Sequence, residues 1–168
     1  MEFKEAKNKF VQTWGALGSQ WGINKTMAQI HALLMVSKEA ISMEDIMEDL
    51  QISRGNASMN LRSLMEWGIV YKEYKAGERK EFFSAEKDLD ELAVKISKER
   101  SKREIRPALK VLKEVSNINV NSNEEEQHFV EQTTKLYDFV LKADNLLDKI
   151  TEYKDNWLAQ LFIKFIKK

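Results

Sequence analysis

Apolar residues recur at steps of three and four through most of this chain, and only between Ile69 and Phe83 does the rhythm shorten toward alternation. That pattern predicts a run of helices interrupted by one β-hairpin. The first helix spans Glu2 to about Gly18, with Phe3, Ala6, Phe10, Trp14 and Leu17 on one face, and Gly15, Gly18 and Gly22 are expected to loosen its end. A second, Lys25 to Val36, turns Met27, Ile30, Leu33 and Leu34 inward.

Ser42 precedes the next apolar face, Ile46, Met47 and Leu50, and Asp45 stands three residues after it, so a capping box is predicted there. Gln51 and Ile52 break the pattern, and Ser53 is placed to cap a helix from Arg54 to Glu66 that stops at Gly68. Two helices joined by so short a turn must cross steeply. On the second of them Ala57, Leu61, Leu64 and Met65 face inward, while Gly55, Asn56, Ser58, Met59, Arg62 and Ser63 form or flank the outer face. The strands Ile69 to Tyr74 and Lys80 to Phe83 then enclose Lys75-Ala76-Gly77-Glu78-Arg79, where Gly77 permits a turn. This hairpin is expected to be the only sheet.

Beyond it, Ser84 to Asp88 offer caps for a long helix with apolar positions Leu89, Leu92, Ala93 and Ile96, resuming at Ile105, Ala108, Leu109, Leu112 and Val115. The charged stretch Ser97 to Glu104 is expected to be a solvated connector, and Pro107 to kink or restart the helix. After the polar linker Asn117 to Asn123, a helix starting near Glu124 carries Phe129, Thr133, Leu136, Val140, Ala143, Leu147 and Ile150 in a heptad seam, with Val130, Tyr137 and Leu141 as a second strip. Thr151 is placed to cap a final helix bearing Trp157, Leu158, Leu161, Phe162, Phe165 and Ile166.

The fold class expected is therefore mainly α: a winged helix-turn-helix with a small β-hairpin wing, plus a helical dimerisation arm. Residues 1–22 are assigned to the arm's first helix, 23–88 to the winged unit and 89–168 to a helical linker and dimerisation region. The apolar surface at both ends exceeds what a small winged unit covers, which points to a second copy of the chain. The tail Phe162-Ile163-Lys164-Phe165-Ile166-Lys167-Lys168 has a rival reading as a membrane-surface anchor, disfavoured by its shortness.

Composition narrows the chemistry. The 168 residues include one proline, six glycines and no cysteine, which removes disulfides, thiol catalysis and the usual structural zinc sites. No apolar run reaches membrane-spanning length and the charged start Met1-Glu2-Phe3-Lys4-Glu5 is unlike a secretory signal, so the cytoplasm is the expected compartment. Net charge is zero, which counts against nucleic-acid binding until its distribution is considered. Arg54, Arg62, Lys72, Lys75, Arg79 and Lys80 outnumber Glu66, Glu73 and Glu78 in the helix-hairpin segment, while acid collects at Glu124-Glu125-Glu126 and along the C-terminal helix.

A helix face that is small, polar and nearly acid-free suits a major groove: Gly and Ser admit the backbone, Asn and Arg reach base edges, and Met59 can touch a thymine methyl. The candidate DNA contacts are Ser53, Arg54, Asn56, Ser58, Met59, Arg62 and Ser63 on the helix and Lys75, Arg79 and Lys80 at the hairpin tip. Surface charges usually only solvate, and some winged helices bind proteins, so a winged-helix protein-interaction module stands as the alternative. An enzyme is not expected. His31 and His128 lie far apart without a nucleophile or metal-spaced partner, no glycine-rich phosphate loop is present, and neither a catalytic residue, a metal ligand nor a cofactor is assigned.

The chain resembles the MarR-like winged-helix regulators, and more closely their GbsR branch. The likeness is carried by Ser42-Met43-Glu44-Asp45-Ile46, by Ser53-Arg54-Gly55-Asn56-Ala57-Ser58-Met59-Asn60-Leu61-Arg62 with Leu64 and Trp67-Gly68-Ile69-Val70, and by Gly77-Glu78-Arg79-Lys80. The pairs Trp14-Gly15 and Trp21-Gly22 belong to the same likeness. It implies a homodimeric transcriptional regulator, often a repressor, acting on a palindromic operator through the helix matching Ser53 to Glu66 and a wing arginine matching Arg79. Some GbsR-like proteins respond to choline or related compounds. A cage of Trp14, Trp21, Trp67 and Tyr71 would suit a small quaternary-ammonium effector, although aromatics at helical spacing more often serve as core or dimer anchors.

Overall fold

The computed structural model describes residues 1–119 and 123–152. It divides into two units, Met1–Lys95 and Ile96–Lys168. In the first, α1 (Phe3–Gln20) and α2 (Lys25–Val36) precede β1 (Ile41–Ser42), α3 (Met43–Leu50), α4 (Arg54–Glu66), β2 (Val70–Glu73) and β3 (Phe82–Ala85); α5 (Leu89–Arg100) carries the boundary. The second unit continues through a π-helical turn at Ser101–Ile105 into α6 (Arg106–Ser116) and α7 (Glu124–Glu152).

The centre of the first unit is α2. Asn24 caps its start by accepting from the Met27 amide, and every residue from Met27 to Leu34 is buried, against α1 on one side and α3, α4 and β3 on the others. The periodicity marked only four of those positions; the others are the small Ala28 and Ala32 and the polar Gln29 and His31. Gln29 donates to Gln12 Oε1 at 2.7 Å, joining α2 to α1. The chain leaves α2 under Lys87, whose ammonium donates to the carbonyls of Leu34, Met35 and Ser37 at 2.6, 2.7 and 2.9 Å, the interaction a helix C-terminus favours.

His31 is 6% exposed, and its Nε2 has no hydrogen-bond partner among the described residues. Desolvation, aided by the positive charge of Lys87, lowers its pKa from 6.5 to about 4. A depressed histidine stabilises the fold above its unfolded pKa, and that stability is lost as pH falls from about 6.5 toward about 4, because the unfolded chain then takes up the proton first. Going from about pH 7 to about pH 5 is expected to cost roughly 2 kcal/mol, read from urea melts at the two values. In His31→Leu this part of the pH dependence should vanish; an unchanged slope would place the acid sensitivity elsewhere.

Gly15 and Gly18 do not loosen α1 as expected. Both are buried inside the helix where it meets α2, and a Cβ on Gly18 would stand 2.5 Å from the Ala28 Cβ. The turn is made by Gly22 instead, at φ 76°.

The sheet has three strands in the order β1-β3-β2, all antiparallel. The hairpin was expected to be alone, but Ile41 and Ser42 pair with Phe83 and Phe82; two residues are too few to show alternation in a sequence. The second strand of the hairpin also lies later than Lys80–Phe83, at Phe82–Ala85, with Val70 opposite Ala85 and Glu73 opposite Phe82. Phe82, Phe83 and Ala85 are buried, and this tie to the core sets the register.

In the second unit α6 packs on α7. The expected solvated connector is corrected in part: Glu99 and Ser101 are buried. Ser101 Oγ donates to Asp144 of α7 in a short hydrogen bond, and Glu99 pairs with Arg103 at 2.5 Å. At Pro107 the helical backbone runs on without a break: the π-helical turn lies just upstream and Pro107 falls in the first turn of α6. Asn123 Oδ1 accepts from the Glu125 amide at the start of α7. Thr151 lies within α7 and so does not begin a new helix; the final helix and basic tail expected after it lie outside the described residues.

The heptad seam and second strip expected on α7 regroup into two other rows. Val130, Thr133, Tyr137, Val140 and Leu147 are half-buried, in register with buried Asp144, which also lies 4.0 Å from Arg106. Phe129, Leu136 and Ala143 alternate with Phe139 (70% exposed) and Leu146 (60% exposed) as a second, exposed row. Among the described residues no helix is long and apolar enough to cross a membrane.

Candidate nucleic-acid interface

The capping box forms as predicted. Ser42 Oγ accepts from the Asp45 amide at 3.1 Å while the Asp45 carboxylate accepts from the Ser42 amide and hydroxyl, which holds Asp45 below the usual carboxylate range. Gln51 ends α3 in the left-handed region at φ 52°, and the Ile52 amide closes on the Met47 carbonyl at 3.1 Å. That turn sends the chain directly into α4, whose start is capped by Ser53 Oγ accepting from the Asn56 amide at 3.3 Å. Ala57, Asn60, Leu61 and Leu64 of α4 are buried, so its remaining face is turned outward.

That outward face holds Arg54, Gly55, Met59 and Arg62, all exposed, with Asn56, Ser58 and Ser63 half-buried along its flanks. Met59 is 59% exposed, an unpartnered apolar side chain amid polar neighbours. Asn60, absent from the candidate contacts, orients one of them. Buried to 3% exposure, it donates from Nδ2 to the Asn56 carbonyl at 2.8 Å and to Asn56 Oδ1 at 2.7 Å. A backbone carbonyl only accepts, so it fixes the Asn60 amide, which in turn engages the Asn56 oxygen and leaves the Asn56 amino group for an outside acceptor. The signal was available as an i, i+4 Asn pair.

The hairpin tip turns at Lys75-Ala76-Gly77-Glu78, closed by the Glu78 amide on the Lys75 carbonyl at 3.1 Å, with Gly77 at φ 81°. All residues from Tyr71 to Lys80 are exposed. The basic residues there are not equivalent. Lys72 is ion-paired with Glu81, and Lys75 lies over the Phe82 ring at 4.4 Å and donates to the Ala40 carbonyl at 3.4 Å. Arg62, Arg79 and Lys80 have no ion pair among the described residues and are the cations free for phosphate.

The base of the wing is fixed by a second network. Tyr71 Oη donates to Glu86 at 2.6 Å, and Lys95 Nζ donates to both Glu86 and Tyr71 Oη at 2.6 Å, with the ammonium over the Tyr71 ring. Hydrogen bonds from Lys95 first, then Tyr71, pull the Glu86 pKa down to about 2. The four aromatics considered for a ligand cage occupy separate elements. Trp14 stacks on Phe10 in α1 at 5.6 Å, Trp21 and Trp67 follow the ends of α1 and α4, and Tyr71 in β2 is faced by Lys95.

These elements define a winged helix-turn-helix: α3 and α4 joined by a tight turn, followed by the β2-β3 wing. No protein-family model and no curated protein matches the chain. Among solved structures, one described as the crystal structure of a transcriptional regulator is similar with a TM-score of 0.58 at 16% identity, covering 86% of this chain and 99% of that one. A mutant of S. aureus MepR bound to an oligodeoxyribonucleotide is similar over 82% of this chain and 94% of that one, with a TM-score of 0.41 and 18% identity.

Proposed function

We propose that this chain is a sequence-specific double-stranded DNA-binding transcriptional regulator that acts as a homodimer. The observation that carries the reading is the exposed, acid-poor face of α4 beside the unpaired cations Arg62, Arg79 and Lys80. In this reading α4 enters the major groove, Arg62 and Asn56 address base edges, and Arg79 and Lys80 of the wing hold the flanking backbone or minor groove. The neighbouring structure described as a transcriptional regulator supports it through the shared fold. Repression, and modulation by a small choline-like ligand, come from the resemblance to MarR-like and GbsR-like proteins and belong to the proposal on that footing.

The homodimer is supported by the exposed row on α7. Phe129, Leu136 and Ala143 with Gln132, Phe139 and Leu146 occupy the a and d positions of a heptad, the register in which one helix meets another. Two copies would present their α4 helices to half-sites about 34 Å apart on a palindrome. Phe139→Asp is expected to weaken association by roughly 2 kcal/mol or more, since a two-fold interface counts each substitution twice. Sedimentation velocity reads this directly, and a variant that stays dimeric at micromolar concentration would remove α7 from the interface.

Selection from a duplex library randomised over two helical turns tests the function. A palindromic consensus is expected. If the protein enriches no sequence and ignores random duplex at low salt, the protein-interaction module is the better account.

A further inference from the structure

One acid is ion-paired to the first residue of α4, the helix that the proposed function turns to DNA. Glu44, in the first turn of α3, accepts from Arg54 Nη2 at 2.5 Å, and Arg54 Nη1 lies 3.8 Å from Met43 Sδ. Arg54 is the first residue of α4. Its side chain remains 62% exposed, and its Nε has no partner among the described residues, so one edge of the guanidinium is engaged and another is open. Glu44 Oε2 is buried with no hydrogen-bond partner among the described residues. Glu44 therefore ties the start of α3 to the first residue of α4, the helix that the proposed function sends to DNA.

An exposed ion pair contributes little to folding, because Coulomb attraction in water barely offsets the ordering of two long side chains. Ordering is the relevant effect here. An arginine held in one geometry before binding loses less freedom on meeting a guanine edge, which it reads through two parallel N–H donors. A carboxylate near phosphates also repels every duplex equally, whatever its sequence.

We infer that Glu44 is a positioning residue for sequence discrimination: it presets Arg54 for reading a base near the start of α4, and its charge lowers affinity for non-cognate DNA. This rests on the DNA-binding reading above. The two roles predict opposite changes on different duplexes, which a purely structural ion pair would not produce.

The test compares wild type with Glu44→Ala, Glu44→Gln, Arg54→Ala and the Glu44→Ala/Arg54→Ala double variant. Each is measured by library selection and by anisotropy on the wild-type consensus and a random duplex. Arg54→Ala should flatten one base column per half-site, with discrimination there falling on the order of tenfold. Glu44→Ala should weaken the same column while raising random-duplex affinity a few-fold at low salt. The double variant should lose no more discrimination than Arg54→Ala alone, because the two act as one unit. Glu44→Gln keeps an acceptor for Arg54, so it should retain much of the column yet share the gain on random DNA. Melting temperatures close to wild type are expected throughout.

A Glu44→Ala variant that keeps the full column, or one whose effect falls on a different column from Arg54→Ala, overturns the inference. If wild type selects no consensus at all, the functional reading fails first, so the two failures are distinguishable.

Discussion

Gly18→Ala should lower stability by about 1–3 kcal/mol, although alanine is a better helix former than glycine by about 1 kcal/mol. The opposition of these two terms makes the substitution informative. Gly18 lies inside α1, and the new Cβ would meet the Ala28 Cβ of α2 at 2.5 Å. Ala28 has no rotamer with which to yield, and α2 is held on its other sides by α3, α4 and β3, so the helices must separate. Gly18→Val adds two methyl groups to the same collision and should cost more than 3 kcal/mol, close to the whole stability of a marginal domain. At Gly15 the obstructing atom is Cγ of the flexible Gln29 side chain, also at 2.5 Å, and the smaller loss expected there includes the Gln29–Gln12 hydrogen bond. Gly55 is the control: it is helical and nothing lies within 4 Å of its added Cβ, so Gly55→Ala should stabilise by up to about 1 kcal/mol. Urea melts of the four variants check the order, and a stabilised Gly18→Ala would show that α1 and α2 are not in close contact.

Arg62→Ala should remove a large share of the sequence discrimination while leaving the fold intact. Arg62 is exposed on α4 and has no ion pair among the described residues, so its removal strands no buried charge. If it holds a base bidentately the loss is roughly 1–3 kcal/mol, about 5- to 150-fold on the cognate duplex with little change on random DNA. Arg79→Ala is the counterpart in the wing. A phosphate contact carries no sequence information, so both duplexes should weaken together and the salt dependence should fall by about one counterion. Anisotropy titrations over a salt series separate the two patterns. Equal weakening of both duplexes by Arg62→Ala would assign it to the backbone rather than to a base.

What could be read from the sequence was whatever local rules decide. The limits of α2, the capping box at Ser42 and Asp45, the span of α4 and the turn at Gly77 each depend on residues within a few positions of one another. What escaped depends on distant partners. Gly15 and Gly18 look like helix breakers until Gln29 and Ala28 are seen across from them. His31 and Gln29 are polar and so dropped out of an apolar count, yet α2 is central enough to bury all sides of that stretch. Ser101 sits in a charged run whose composition predicts solvation, and only Asp144, far along the chain, reveals why it is buried. The same division holds at the outward face of α4. Polarity and helical phase were enough to name Arg62 and Met59, and the spacing of Asn56 and Asn60 held the signal for their pairing, whereas the contact of Glu44 on Arg54, ten residues apart, requires coordinates.

The central claim is that two copies of α4 occupy successive major grooves of one duplex. Hydroxyl-radical footprinting of the protein on its selected consensus measures this most directly. Two protected patches per strand set, related by the dyad and centred about one helical turn apart, are predicted. A single patch, or uniform protection without a dyad, would contradict the account.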